Sequence, residues 1–136
     1  MSKNLNLKIY GVTTVGPKGQ IIIPKESRND LNIKAGFSYM LFIISKKAFG
    51  LGAKDLSKGK KEMILNDMIK NFDSIDEIGE IKIGTKNQFV IPSIVRKELG
   101  IEIGDNLIAI GKSNEGIGFI KNDNINFLFE FIKNNM

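Results

Sequence analysis

A chain of 136 residues with neither cysteine nor histidine has no disulfide framework and no thiolate metal site, and it lacks the commonest general base and the best thiol nucleophile. Those absences argue against hydrolytic and zinc chemistry, so no enzymatic activity, metal or cofactor is expected. The net charge of +5 is uneven, because residues 1–54 carry nine Lys/Arg against two Asp/Glu while residues 79–122 total only +1, and a concentrated positive field suits a polyanion such as nucleic acid.

The N-terminal stretch MSKNLNLKIYG lacks the long apolar run of a signal peptide, and no later run approaches the ~20 apolar residues of a membrane span. A soluble, cytoplasmic protein with no membrane partner is expected. Tyr10–Val15, rich in β-branched residues and punctuated by Gly11 and Gly16, predicts a short strand. Gly16-Pro17-Lys18-Gly19 then predicts a turn with Lys18 at the tip of a hairpin, and Gln20–Ile23 the return strand. Pro24 suits the first turn of a helix over Lys25–Leu31, which stops at Asn32, a residue type that tolerates a left-handed C-terminal position. Gly36 turns the chain into an apolar strand, Tyr39–Ile44, that must be covered on both faces. A Lys46–Lys47 turn leads to a last short strand, Phe49–Leu51. The unit reads β-β-α-β-β.

Between residues 56 and 78, Met63, Ile64, Met68, Ile69 and Phe72 recur at three- and four-residue spacing and predict an amphipathic helix with linker. The unit then begins again. Gly11, Gly16, Lys18, Gln20, Ile23, Pro24, Arg28, Leu31, Ile33 and Gly36 return as Gly79, Gly84, Lys86, Gln88, Ile91, Pro92, Arg96, Leu99, Ile101 and Gly104, every pair 68 positions apart. The second copy predicts strands at Glu80–Ile83 and Gln88–Ile91 around a Gly84-Thr85-Lys86-Asn87 turn, with Asn87 taking the left-handed position of Gly19. A helix over Ser93–Leu99 ending at Gly100 follows, then strands at Leu107–Ile110 and Ile117–Ile120 around an Asn114–Glu115 turn. Ile125, Leu128, Phe129 and Ile132 predict a second amphipathic helix, and Phe127, Phe129 and Phe131 make a covered tail the expectation. Four segments result: a first unit (1–55), an amphipathic helix and linker (56–78), a second unit (79–123) and a C-terminal helix (124–136). Each 68-residue half lies near the size where a lone core is marginal, so each wants a partner, either the other half or a second chain. The helical segments are candidates for homo-oligomer contact.

The segments TVGPKGQIIIPKESRNDLNIKAG and IKIGTKNQFVIPSIVRKELGIEIGD resemble the AbrB/MazE/SpoVT family of swapped-hairpin DNA-binding domains. The run Lys-x-Gln-x-x-Ile-Pro, an Arg four residues on and then Leu-x-Ile-x-x-Gly carry the resemblance twice, over residues 11–55 and 79–123. It implies a mainly β fold with short helices in which two β-β-α-β-β units interlock hairpins into a barrel. It also implies binding of double-stranded DNA, in transcriptional regulators or in antitoxins that repress their own operons. Two units in one chain depart from the usual pattern. They interlock with each other as a pseudo-dimer, or each pairs with its counterpart on another chain. Ser27 stands where Val95 keeps an apolar position, and Asn32 where Gly100 keeps glycine.

What the resemblance implies for DNA contact falls on Lys18 and Lys86 at the turns and on Arg28 and Arg96 on the helices, with Lys25 and Lys97 as basic neighbours. Arg suits bidentate contact to phosphate or guanine edges, and Lys acts as a flexible point charge. The competing reading has the arginines bridging Glu26, Asp30 or Glu98 on the helix surface. Gln20 and Gln88 begin the return strands and would reach a base or phosphate, although a polar strand edge explains them almost as well. The first unit is expected to dominate the electrostatics, because Glu80, Glu98, Glu102 and Asp105 lie near the second unit's basic positions. An antitoxin with a toxin partner is the alternative function. It is disfavoured because residues 124–136 hold few charges and read as helical rather than extended and acidic. A protein-interaction module is the third.

Overall fold

β-Branched and aromatic runs, punctuated by glycine and proline, set where this chain is extended and where it turns. The computed structural model describes residues 7–52, 74–112 and 116–134. Its elements are β1 (Leu7–Thr14), β2 (Gln20–Ile22), α1 (Lys25–Leu31), β3 (Ser38–Ile44), β4 (Ala48–Gly52), β5 (Ile75–Lys82), β6 (Gln88–Val90), α2 (Ser93–Leu99), β7 (Asn106–Lys112), β8 (Gly116–Lys121), a 3-10 turn (Asn122–Asn124) and α3 (Ile125–Asn134). Elements β5 to β8 begin 68 positions after β1 to β4, and α2 begins 68 after α1. The helix expected around Met63–Phe72 lies outside the described residues, as does the Asn114–Glu115 turn.

Six strands form one antiparallel sheet in the order β1-β7-β8-β4-β3-β5, and β2 and β6 form a separate antiparallel ribbon. Hairpins β3–β4 and β7–β8 are local, whereas β1–β7, β5–β3, β4–β8 and β2–β6 all join one half of the chain to the other. The sheet is open, with β1 and β5 as its edges, so the expected barrel is not closed by a continuous ladder. The cause is the use made of β2 and β6: Gln20, Ile21 and Ile22 pair with Val90, Phe89 and Gln88. The return strand of the expected hairpin therefore does not ladder onto β1. It is linked to β1 by the Thr13 hydroxyl donating to the Ile22 carbonyl at 3.0 Å and to the intervening turn by Gly16 N–H donating to the Gln20 carbonyl at 2.8 Å. β-Bulges at Ile9/Gly11 and opposite Leu41/Phe42 also interrupt both edge strands, which bends them and blunts further pairing.

The main core lies between the sheet and the ribbon. Leu41, Phe49 and Leu51 meet Leu107, Ala109, Ile117 and Phe119, with Ile21, Ile23, Phe89 and Ile91 above them and Val95 and Leu99 from α2 at the side. Volume is exchanged between equivalent places: Leu41 faces Leu51 on one side, and Ala109 faces Phe119 on the other. Total side-chain volume matters more to a core than its distribution. Phe49, Phe89 and Phe119 form an aromatic trio, with the Phe49–Phe119 rings stacked at 5.2 Å and Phe89 edge-on to both. Ser27 is fully buried at the Val95-equivalent place, and its hydroxyl donates to the Pro24 carbonyl at 2.6 Å. A buried hydroxyl so satisfied carries little penalty.

Ile44, Ala48, Ile108 and Ile120 form a second cluster under Leu128 of α3, so apolar β3 and β7 have cover on both faces there, as their composition requires. The tail is only partly covered: Leu128 is buried but Phe129 is 59% exposed. The 3.6-residue period places these two neighbours on different sides of α3. No helix among the described residues is long and apolar enough to cross a membrane.

Candidate nucleic-acid interface

Two tight turns project the basic tips. In the first, Gly19 N–H donates to the Gly16 carbonyl at 2.9 Å, and Gly19 has φ +77°, a region open to glycine and closed to most side chains. Lys18 is exposed at the tip. Its own N–H donates to Oε1 of Gln20 at 2.8 Å, so Gln20 braces the turn rather than standing free for a base. In the second turn, Asn87 N–H donates to the Gly84 carbonyl at 2.9 Å, and Asn87 holds φ +59°, the left-handed conformation expected from its chemistry. Lys86 is exposed there, and Gln88 half-buried.

The short helices are built alike. Pro24 and Pro92, expected inside the first turn, occupy the N-cap with φ −55° each. Asn32 and Gly100 close the helices in left-handed conformations. Arg28 donates through Nε to the Ile23 carbonyl at 3.1 Å, and Arg96 does the same to Ile91 at 3.0 Å. Each guanidinium has five N–H donors; each is pinned through Nε, and among the described residues its two terminal nitrogens have no hydrogen-bond partner. Among the described residues no carboxylate pairs with either arginine. Lys25 and Lys97 are exposed on the same helices.

Glu26 and Asp30, the carboxylates expected to compete for Arg28, are held by Lys8 of β1. The Tyr10 hydroxyl donates to Asp30 at 2.9 Å. Hydrogen bonds from Tyr10 and Lys8 hold the Asp30 carboxyl below its ordinary range, and those to Glu26 and Asp30 push the Lys8 ammonium up. Partial burial, then the bond to Asp30, raises the Tyr10 phenol. This brace between β1 and α1 was not visible in the sequence, since Lys8 and Tyr10 lie about twenty residues from their partners.

The two halves share each basic surface. Ile91 N–H donates to the Gly19 carbonyl at 2.9 Å, tying the start of α2 to the first turn, and Ile23 N–H donates to Asn87 at 2.9 Å, tying α1 to the second. A Cβ placed on Gly19 would lie 2.9 Å from Arg96 Cζ, so the first turn presents Lys18 beside Arg96. Reading along the chain groups Lys18 with Arg28, but the fold groups it with Arg96. Lys34 and Lys82, which the sequence reading passed over, flank the second turn: Gly36 N–H donates to Ile83, Ile83 N–H donates to Phe37, and Ser38 pairs with Lys82.

Neither a family model nor a curated protein matches this chain. Among solved structures it is similar to the solution structure of PHS018 from Pyrococcus horikoshii, at 20% identity and a TM-score of 0.43, over 88% of this chain and 96% of that one. That likeness is too slight to bear on function.

Proposed function

We propose that this chain is a DNA-binding transcriptional regulator of the AbrB-like type, without enzymatic activity, whose two units interlock as a swapped-hairpin pseudo-dimer within one chain. The cross-half pairing of β1 with β7, β5 with β3 and β2 with β6 supports the interlock. The observation that carries the functional reading is that each exposed turn, with its lysine, is tied by a backbone hydrogen bond to the start of the other half's arginine-bearing helix. This places a flexible point charge and a directional guanidinium on one surface, the combination suited to tracking a phosphate backbone and reading guanine edges. Burial of Leu128 under the sheet sets the antitoxin alternative behind it, because a segment folded onto its own sheet is not an extended toxin-wrapping tail.

The test is light scattering of the pure protein with and without a mixed-sequence duplex at low salt, followed by a salt titration. A 15.1 kDa species that shifts on adding DNA is expected. With about four phosphate contacts, log affinity should fall against log salt with a slope near −3.6; a slope near zero refutes DNA binding, and a doubled mass moves the interlock between chains. Neutralising Arg28 is expected to weaken binding more than neutralising Arg96.

A further inference from the structure

The two composite surfaces differ in charge, and the difference does not follow the two halves of the sequence. Beside the second turn stand Lys86 at its tip, Lys82 at the end of β5, Lys34 in the loop that hydrogen-bonds to Ile83, and Lys25 and Arg28 on the adjoining α1. Glu26 and Asp30 on that helix share the single charge of Lys8, and Glu80 lies two positions before Lys82 on β5, so the five cations still outnumber the acids beside them. At the first turn the equivalent places are reversed or lost. Glu102 stands where Lys34 does and Thr14 where Lys82 does, each 68 positions away, in the loop and strand tied to Val15 and Asn106. Lys18, Arg96 and Lys97 there are opposed by exposed Glu98 and Glu102, and Asp105 is paired with Lys121 at 3.4 Å.

We infer that duplex DNA is gripped chiefly by the α1/second-turn surface, so that the protein binds with a fixed polarity and suits a non-palindromic site. This rests on the DNA-binding reading. Sequence charge alone ranks the first unit's Lys18 above the second unit's Lys86. The fold reverses that order, because Lys86 shares its surface with the first unit's cations and Lys18 shares its own with the second unit's acids.

Both turn lysines are exposed and hold no side-chain bond among the described residues, so Lys18→Gln and Lys86→Gln leave the fold intact. Anisotropy titrations of a fluorescent mixed-sequence duplex over a salt series read the result. Lys86→Gln is expected to reduce the slope magnitude by about 0.9 and the affinity at 0.1 M salt by roughly eightfold, the loss of one phosphate contact. Lys18→Gln is expected to lose less than half of each. Glu102→Lys, which gives the first turn the cation that Lys34 gives the second, is expected to gain slope and affinity, a result no folding defect produces. Equal losses from the two lysines, or a larger loss from Lys18→Gln, overturn the polarity while leaving DNA binding intact. Absence of any salt-dependent binding by the parent protein overturns DNA binding and the polarity with it.

Discussion

Phe119→Ala tests whether the two halves share one core. Phe119 is 1% exposed on β8, between Ala109 on β7 and Phe49 on β4, with ring centroids 5.2 Å from Phe49 and 6.1 Å from Phe89. Ala109 is too small to fill the space left by the ring, so the site collapses poorly and the loss belongs in the range of about 3–5 kcal/mol for a buried Phe→Ala change. That is a large share of the ~5–15 kcal/mol that holds a typical domain, and it corresponds to a Tm drop of about 10–20 °C. Phe49 belongs to the first half and Phe119 to the second. Phe49→Ala combined with Phe119→Ala should therefore cost less than the sum of the single changes, by the ~0.5–1.5 kcal/mol of an aromatic pair. Urea unfolding followed by circular dichroism suits a chain without tryptophan. Exposed Phe129→Ala serves as the control, expected within about 0.5 kcal/mol of the parent. A Phe119→Ala loss below about 1 kcal/mol, or strict additivity of the pair, refutes the shared core.

The Lys8–Tyr10–Asp30 brace makes stability pH-dependent at both ends. Asp30 titrates below its unfolded value of 3.8, so its contribution is complete above about pH 4 and is lost as pH falls through the lower folded value. Lys8 and Tyr10 titrate above 10.5 and 10.0, so theirs is complete below those values and is lost as pH rises through the higher folded ones. Tyr10→Phe should bring the urea midpoint below that of the parent at pH 7, with the gap narrowing on acidification below pH 4; a gap constant from pH 7 to pH 2 would exclude the linkage. Gly100→Ala forces a Cβ into φ +64° with no neighbouring atom within 4 Å of it, so its cost is backbone strain alone. About 1–2 kcal/mol is expected in the same unfolding assay, and no loss would refute the left-handed helix end.

Local structure was legible because its signals are local. Pro24 with Asn32 and Pro92 with Gly100 bracket the helices at the observed ends, and Asn87 takes the glycine-like conformation that its short polar side chain permits. The partner of β2 was not legible. Ile21 and Ile23 are equally suited to a hairpin with β1 and to a ribbon with β6, and only the closing of the whole core decides between them. For the same reason the candidate residues were identifiable but their grouping was not: the Gly19–Arg96 approach joins places 77 residues apart. Gln20 shows a different failure. A glutamine after a turn reads as an available amide, yet its oxygen is taken by the backbone of the residue two before it.

The asymmetry between the halves itself favours pairing within one chain over pairing of like units between chains. Like pairing would set Phe49 opposite another Leu51 and break up the trio that Phe49, Phe89 and Phe119 draw from both halves. It would also bring together two copies of residues 1–54, each with nine basic and two acidic side chains, whose mutual repulsion opposes association. Pairing unlike halves avoids both penalties. It also leaves the cations of one half beside the turn of the other, a distribution that a symmetric homodimer, whose two surfaces must be identical, has no means to build.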